Sequence, residues 1–210
     1  LNGGISTAVN PATTCFRADA GGGELVAAAG VSHALAIPLR GSGTFTKTGA
    51  GALVFTNDLS VSMVNNLPVY SALASSTVKI ANGGGLTIAE GTVRCVAGTT
   101  DAASRFSGTG TLSGTFGTLT LDVAADATDG LTFADLTASQ VVADFGRAGE
   151  DPVPTGGSAV VAKIGAGACF ADMAWKAVNI GDDRMAVFLC DADGVVTAHF
   201  RSTGLAIYIH

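Results

Sequence analysis

Residues 41–57 read GSGTFTKTGAGALVFTN. Threonine, phenylalanine and valine favour extended backbone. The glycines at Gly41, Gly43, Gly49 and Gly51 allow tight turns and close approach of one backbone to another. The stretch carries almost no charge and no helix signal. It reads as short strands separated by glycine turns, and a chain written this way stacks extended strands into an elongated all-β scaffold.

Composition agrees with that reading. Glycine supplies 29 of 210 residues, about double its usual share. Charged residues make up 13% and aromatics 6%, while an apolar fraction of 48% excludes a disordered chain. Much of that fraction is alanine, so the core is expected to be built of thin, closely packed layers. A net charge of −6 with only eleven scattered Lys and Arg argues against nucleic acid as a partner. No apolar run reaches the length of a membrane-spanning helix. The chain starts at Leu1 without a basic start and apolar stretch, which reads as a processed, exported chain.

Three regions follow from the pattern. Residues 1–40 form an N-terminal arm, with a flexible joint at Gly21–Gly23 and an alternating strand over 31–39; residues 25–29 fit either a strand or a short alanine-rich helix. Residues 41–145 form a Gly/Thr-rich body. Its strands of four or five residues recur at roughly ten-residue spacing, too close for helical crossovers. A β-solenoid, a sandwich and a barrel all remain open. The quasi-repeats FTKTGAGALVF, LTIAEGTVRC and LSGTFGTLTL favour the solenoid. Residues 146–210 change character: a Pro-containing acidic joint precedes strands expected over 173–180, 184–190, 195–201 and 205–210. GDD, DADG and STG join them as hairpin-length turns. That is an antiparallel β-meander, with 184–190 central, placed to cap the body's end.

The stretch 41–57 resembles the autotransporter-associated β-strand repeat, whose pattern is close to G-x-G-T-L-x-K-x-G-x-G-x-L-x-L. Gly41, Gly43, Thr44, Lys47, Gly49, Gly51 and Leu53 sit at its positions, with Phe45 and Phe55 in place of aliphatics. Residues 83–95, GGGLTIAEGTVRC, resemble the closing half of the unit, separated from the first by an insert over 58–76. The likeness covers about a quarter of the chain. It implies a right-handed parallel β-helix and export to the cell surface or beyond, and it assigns no catalytic, cofactor or ligand-binding residue.

Little else in the sequence announces chemistry. His33, His199 and His210 form no HxH or HExxH arrangement, and no GxSxG, GxGxxG or phosphate-loop pattern occurs. The carboxylate pairs Asp182–Asp183 and Asp191 with Asp193 read as turn residues. The cysteines Cys15, Cys95, Cys169 and Cys190 lack paired metal-ligand spacing. In an exported chain they are expected to form disulfides, Cys169–Cys190 first and Cys15–Cys95 second, with free buried thiols as the alternative. Trp175 is expected in the meander core or, on the sharper reading, as an exposed platform on which a sugar stacks, with Tyr70 and Tyr208 as lesser aromatic candidates.

The expectation is therefore an extracellular structural protein without cofactor or metal. It is a homo-oligomer or homopolymer joined by β-strand contacts, with residues 1–16 or 205–210 as the lent strand. A carbohydrate-binding or adhesive module contacting surface glycans is the alternative. A polysaccharide-degrading β-helix enzyme is less favoured, because the body's acids and arginines are spread out.

Overall fold

The computed structural model describes residues 15–56, 59–64, 67–72, 78–146 and 156–203. The chain is all-β, arranged in open sheets, and the body is a stack of parallel rungs. The first rung holds β1 (Phe16–Ala18), β2 (Gly23–Val26) and β3 (Ser32–Leu35). The second holds β4 (Leu39–Gly41), β5 (Phe45–Thr48) and β6 (Ala52–Phe55). The third has a single parallel bridge at Ile80, then β9 (Leu86–Ile88) and β10 (Thr92–Cys95). Beyond it come β11 (Arg105–Gly108) and two long strands, β12 (Thr111–Asp122) and β13 (Leu131–Asp144). Each long strand turns the corner and serves two faces of the stack.

Parallel register defines two continuous ladders. One runs β2, β5, β9, β11, the end of β12, the end of β13 and β15 (Ala174–Val178). Along it Phe45, Leu86, Phe106, Leu121, Ala143 and Ala177 lie in register, and the first five are buried. The other runs β3, β6, β10, the start of β12, the start of β13 and β14 (Ser158–Ile164). There Leu53, Val93, Leu112 and Phe133 stack inward, and Ala52, Thr92, Thr111 and Thr132 stack on the alternate, outer face. Strands alternate faces with period two, so one register carries the column Leu53, Val93, Leu112, Phe133 inward and the threonines Thr92, Thr111 and Thr132 outward together.

The core differs from the small-residue interior expected. Phe45, Phe55, Phe106, Phe116, Phe133, Phe145 and Phe200 are all buried. The few bulky residues are concentrated where rungs stack like upon like, and small residues line the corners. At Gly43 an added Cβ would lie 1.8 Å from the Asp19 carbonyl oxygen, and at Gly84 2.0 Å from the Gly43 carbonyl carbon. Corners of successive rungs touch backbone to backbone, which explains the glycine pairs. The insert between the motif halves carries its own antiparallel pair, β7 (Leu59–Val64) with β8 (Leu67–Ala72).

The antiparallel C-terminal unit is present with a different membership. Its order is β14, β17 (Val195–Ser202), β16 (Arg184–Cys190). The first strand expected in the meander, β15, instead continues the parallel stack beside β13. Among the described residues β16 is an edge strand and not the central one: Phe188 packs against the core, and Met185 and Leu189 on the other face are exposed. The expected strand 205–210, Tyr208 and the arm 1–14 lie outside the described residues, as does most of the acidic joint. Among the described residues no helix is long and apolar enough to cross a membrane.

Candidate functional site

Three polar or aromatic clusters stand out, and each uses its chemistry on the fold itself. The first is Lys47, fully buried at the corner between β5 and β6. Its ammonium donates to the carbonyl oxygens of Gly49, Gly51 at 2.7 Å and Glu90 at 2.8 Å. A lysine has three N–H donors, and here all three are used on backbone. An added Cβ at Gly91 would lie 2.4 Å from both the Lys47 Nζ and the Gly51 oxygen, so Gly91 closes the cage from the next rung. Burial lowers the Lys47 pKa, and the Glu90 charge works the other way. The motif residues Lys47, Gly49 and Gly51 thus form a structural unit: the cation occupies the place where three carbonyls converge.

The second cluster climbs the stack at the opposite corner. Asp122 and Asp144 are register partners at the ends of β12 and β13, a juxtaposition of like charges that costs energy unless a cation intervenes. Arg105, from β11, supplies it, donating from Nε to Asp122 at 2.8 Å and from Nη2 to Asp144. The Asn179 amide donates to Asp144 at 2.6 Å, and the Gly146 N–H donates at 3.0 Å. Partial burial opposes the ionised form of Asp144, but the bonds from Asn179, Arg105 and Gly146 outweigh it and hold the carboxyl below its usual range. In the linear sequence Arg105, Asp122 and Asp144 are spread out. Only the register, which places residues 17 and 39 positions from Arg105 on neighbouring rungs, brings them together.

A cleft of about 250 Å³ opens beside this ladder, lined by Phe106, Ser107, Asp122, Asp129, Leu131 and Val160 among others. Its carboxylates are paired. Asp122 is bound to Arg105, and Asp129 sits 2.7 Å from the Lys163 ammonium. Bonds from Lys163 and the Gly130 N–H pull the Asp129 pKa down.

The third cluster surrounds Trp175. The indole stacks on Phe133 at 6.2 Å and on Phe170 at 5.3 Å, and tilts against Phe188 at 5.6 Å. Its Nε1–H donates to the Phe170 carbonyl at 3.2 Å. The half-buried ring therefore joins the stack to the terminal sheet, and its faces are engaged by other rings. The side chain of Tyr70 and all of Tyr208 lie outside the described residues.

The four cysteines are free thiols. The expected Cys15–Cys95 pairing is corrected by register. Cys95 pairs with Phe55 and Phe55 with Leu35, so it stands two rungs from the one that Cys15 begins. Two strand spacings amount to about 9–10 Å, beyond the roughly 7 Å Cα limit of a disulfide. Cys95 also points into the core, where burial pushes its thiol up. Cys169 and Cys190 are unbonded too, but both lie beside the Trp175 cluster. The Asp191 carboxylate accepts from the Asp193 and Val195 N–H groups at 2.9 and 2.8 Å and serves as a turn cap.

Comparison with known protein families, with characterised proteins and with solved structures finds no match to this chain.

Proposed function

We propose that this chain is an extracellular structural protein, a self-assembling subunit of a surface or fibre layer, related in design to autotransporter-type repeats. The observation that carries the reading is where the polar chemistry goes. Lys47 is used on three carbonyls and Arg105 on two carboxylates, so the charges inside the stack reinforce rungs. Two strand edges support assembly. Among the described residues β1, β2 and β3 each have a ladder partner on one side only, and so does β16. Exposed apolar residues accompany both edges: Val26 and Val31 at the first, Met185 and Leu189 at the second. An unprotected edge accepts a strand from a neighbour because the added strand satisfies backbone groups along its whole length.

Negative-stain imaging and light scattering of the purified chain test this. Concentration-dependent oligomers or filaments are expected, reduced by Met185→Lys with Leu189→Lys, or by removal of residues 1–16. Dispersed monomers at all concentrations would overturn it. Protease digestion of the chain on intact producing cells tests surface exposure.

A further inference from the structure

Two thiols flank the aromatic cluster where stack and terminal sheet meet. Cys169 is exposed and immediately precedes Phe170, the first residue of a short 3-10 turn. Cys190 ends β16; it lies two residues beyond Phe188, on the same face of that strand. Phe170 and Phe188 both pack on Trp175, with centroids 5.3 and 5.6 Å from it. Two residues along a strand span about 6.6 Å, so one indole gathers the turn carrying Cys169 and the strand end carrying Cys190 onto a common rim.

We propose that Cys169 and Cys190 are an oxidisable pair that closes into an intrachain disulfide by exchange with a small-molecule disulfide of the glutathione type. Cys169, the exposed thiol, meets the oxidant first. Its thiolate attacks one sulfur of the small disulfide, the S–S bond breaks, and one glutathione thiolate leaves. The Cys190 thiol then gives its proton to solvent and attacks the Cys169 sulfur. The mixed disulfide breaks and the second glutathione leaves. Two electrons pass from the two cysteines to the small disulfide, which ends as two thiols. Burial, then Asp191, then the charge on Cys169 push the Cys190 thiol up. The other two cysteines take no part, since Cys95 is sealed in the core and Cys15 belongs to the far end of the stack. The bond would clip the turn before β15 to the last residue of the edge strand, independently of any assembly at that edge.

Connectivity is directly readable, because trypsin places Cys169 on peptide 164–176 and Cys190 on peptide 185–201, apart from the peptides of Cys15 and Cys95. The reduced full-length chain is incubated with oxidised glutathione at about pH 8, alkylated and digested without reductant. The expected product joins those two peptides, consumes two thiols per chain, and melts about 5–10 °C higher than the reduced form. Cys169→Ser and Cys190→Ser are each expected to keep the reduced melting temperature and lose the oxidised increase. Glutathione retained on either cysteine after full oxidation, a bond from either to Cys15, a bond between chains, or an increase surviving in either serine variant would overturn the proposal.

Discussion

The parallel stack and the terminal antiparallel sheet meet at β14, which pairs with β13 on one side and β17 on the other. They solve the same problem differently. In the stack, each rung takes its hydrogen bonds from the rungs before and after, so corners lie directly over one another. An added Cβ at Gly51 would sit 2.1 Å from the Ala28 oxygen and 2.5 Å from the Val31 oxygen, with nothing free to move. Where the chain passes from β15, the last parallel strand, to β16 of the terminal sheet, the turn is open. A Cβ at Gly181 would meet nothing nearer than the Asp183 carboxylate at 3.4 Å, a side chain that can rotate away. A stacked corner such as Gly51 is intolerant and the turn that leaves the stack is tolerant, whereas the β16–β17 hairpin at Gly194, where an added Cβ would lie 2.7 Å from the Ile164 oxygen, is packed like a corner.

The sharpest way to break that comparison is a pair of glycine substitutions. Gly51→Ala is expected to destabilise by about 4 kcal/mol, since backbone carbonyls of the preceding rung must move. Gly181→Ala, at φ +94°, should cost about 1–2 kcal/mol, the ordinary strain of a left-handed residue. Equal losses in denaturant unfolding would erase the distinction. Lys47→Met keeps most of the volume but strips the donor from three converging carbonyls, with an expected loss of about 3 kcal/mol. A neutral result would mean that those oxygens find other partners.

A smaller effect separates the ladder of charges from the packing around it. The folded Asp144 carboxyl titrates below its ordinary value of 3.8, so the unfolded chain takes up that proton first. The contribution of Asp144 is fully present above the ordinary value and is lost as pH falls through the folded one. Asp144→Asn should cost about 2 kcal/mol at neutral pH and flatten the acid side of the stability curve. An unchanged acid limb would remove the ladder from the stack's support. The smallest expected effect is on the outer face, where Thr87→Val breaks a 2.8 Å hydroxyl contact with Ser107 at a cost of about 0.5 kcal/mol. A multi-kilocalorie loss there would shift weight from the corners to the outer columns.

Much of the stack was legible because its signals are local. The glycine pairs and alternating strands of 41–57 mark the turns and faces of one rung, and the quasi-repeats mark the solenoid. What stayed hidden depends on register between distant segments. Gly114 falls inside β12, so the residue type that marks turns in 41–57 sits here within one long strand. β15 looked like the start of a meander because a hairpin-length turn follows it, yet pairing with β13 across 34 positions, Gln140 to Ala174, takes precedence. The Arg105–Asp122–Asp144 ladder has no spacing in sequence that betrays it, and of the Lys47 cage only the K-x-G-x-G half at 47–51 shows there, the Glu90 carbonyl arriving from the next rung. Trp175 was readable as a core residue, but its role as the joint between two units was not.

Parallel register is the claim on which the rest stands, and nuclear Overhauser contacts between backbone protons in isotope-labelled protein test it most directly. Parallel rungs predict Hα-to-HN contacts stepping from Ala52 to Thr92, Thr111 and Thr132, in the order their strands stack. Close Hα-to-Hα contacts between those strands, the mark of antiparallel pairing, would contradict it.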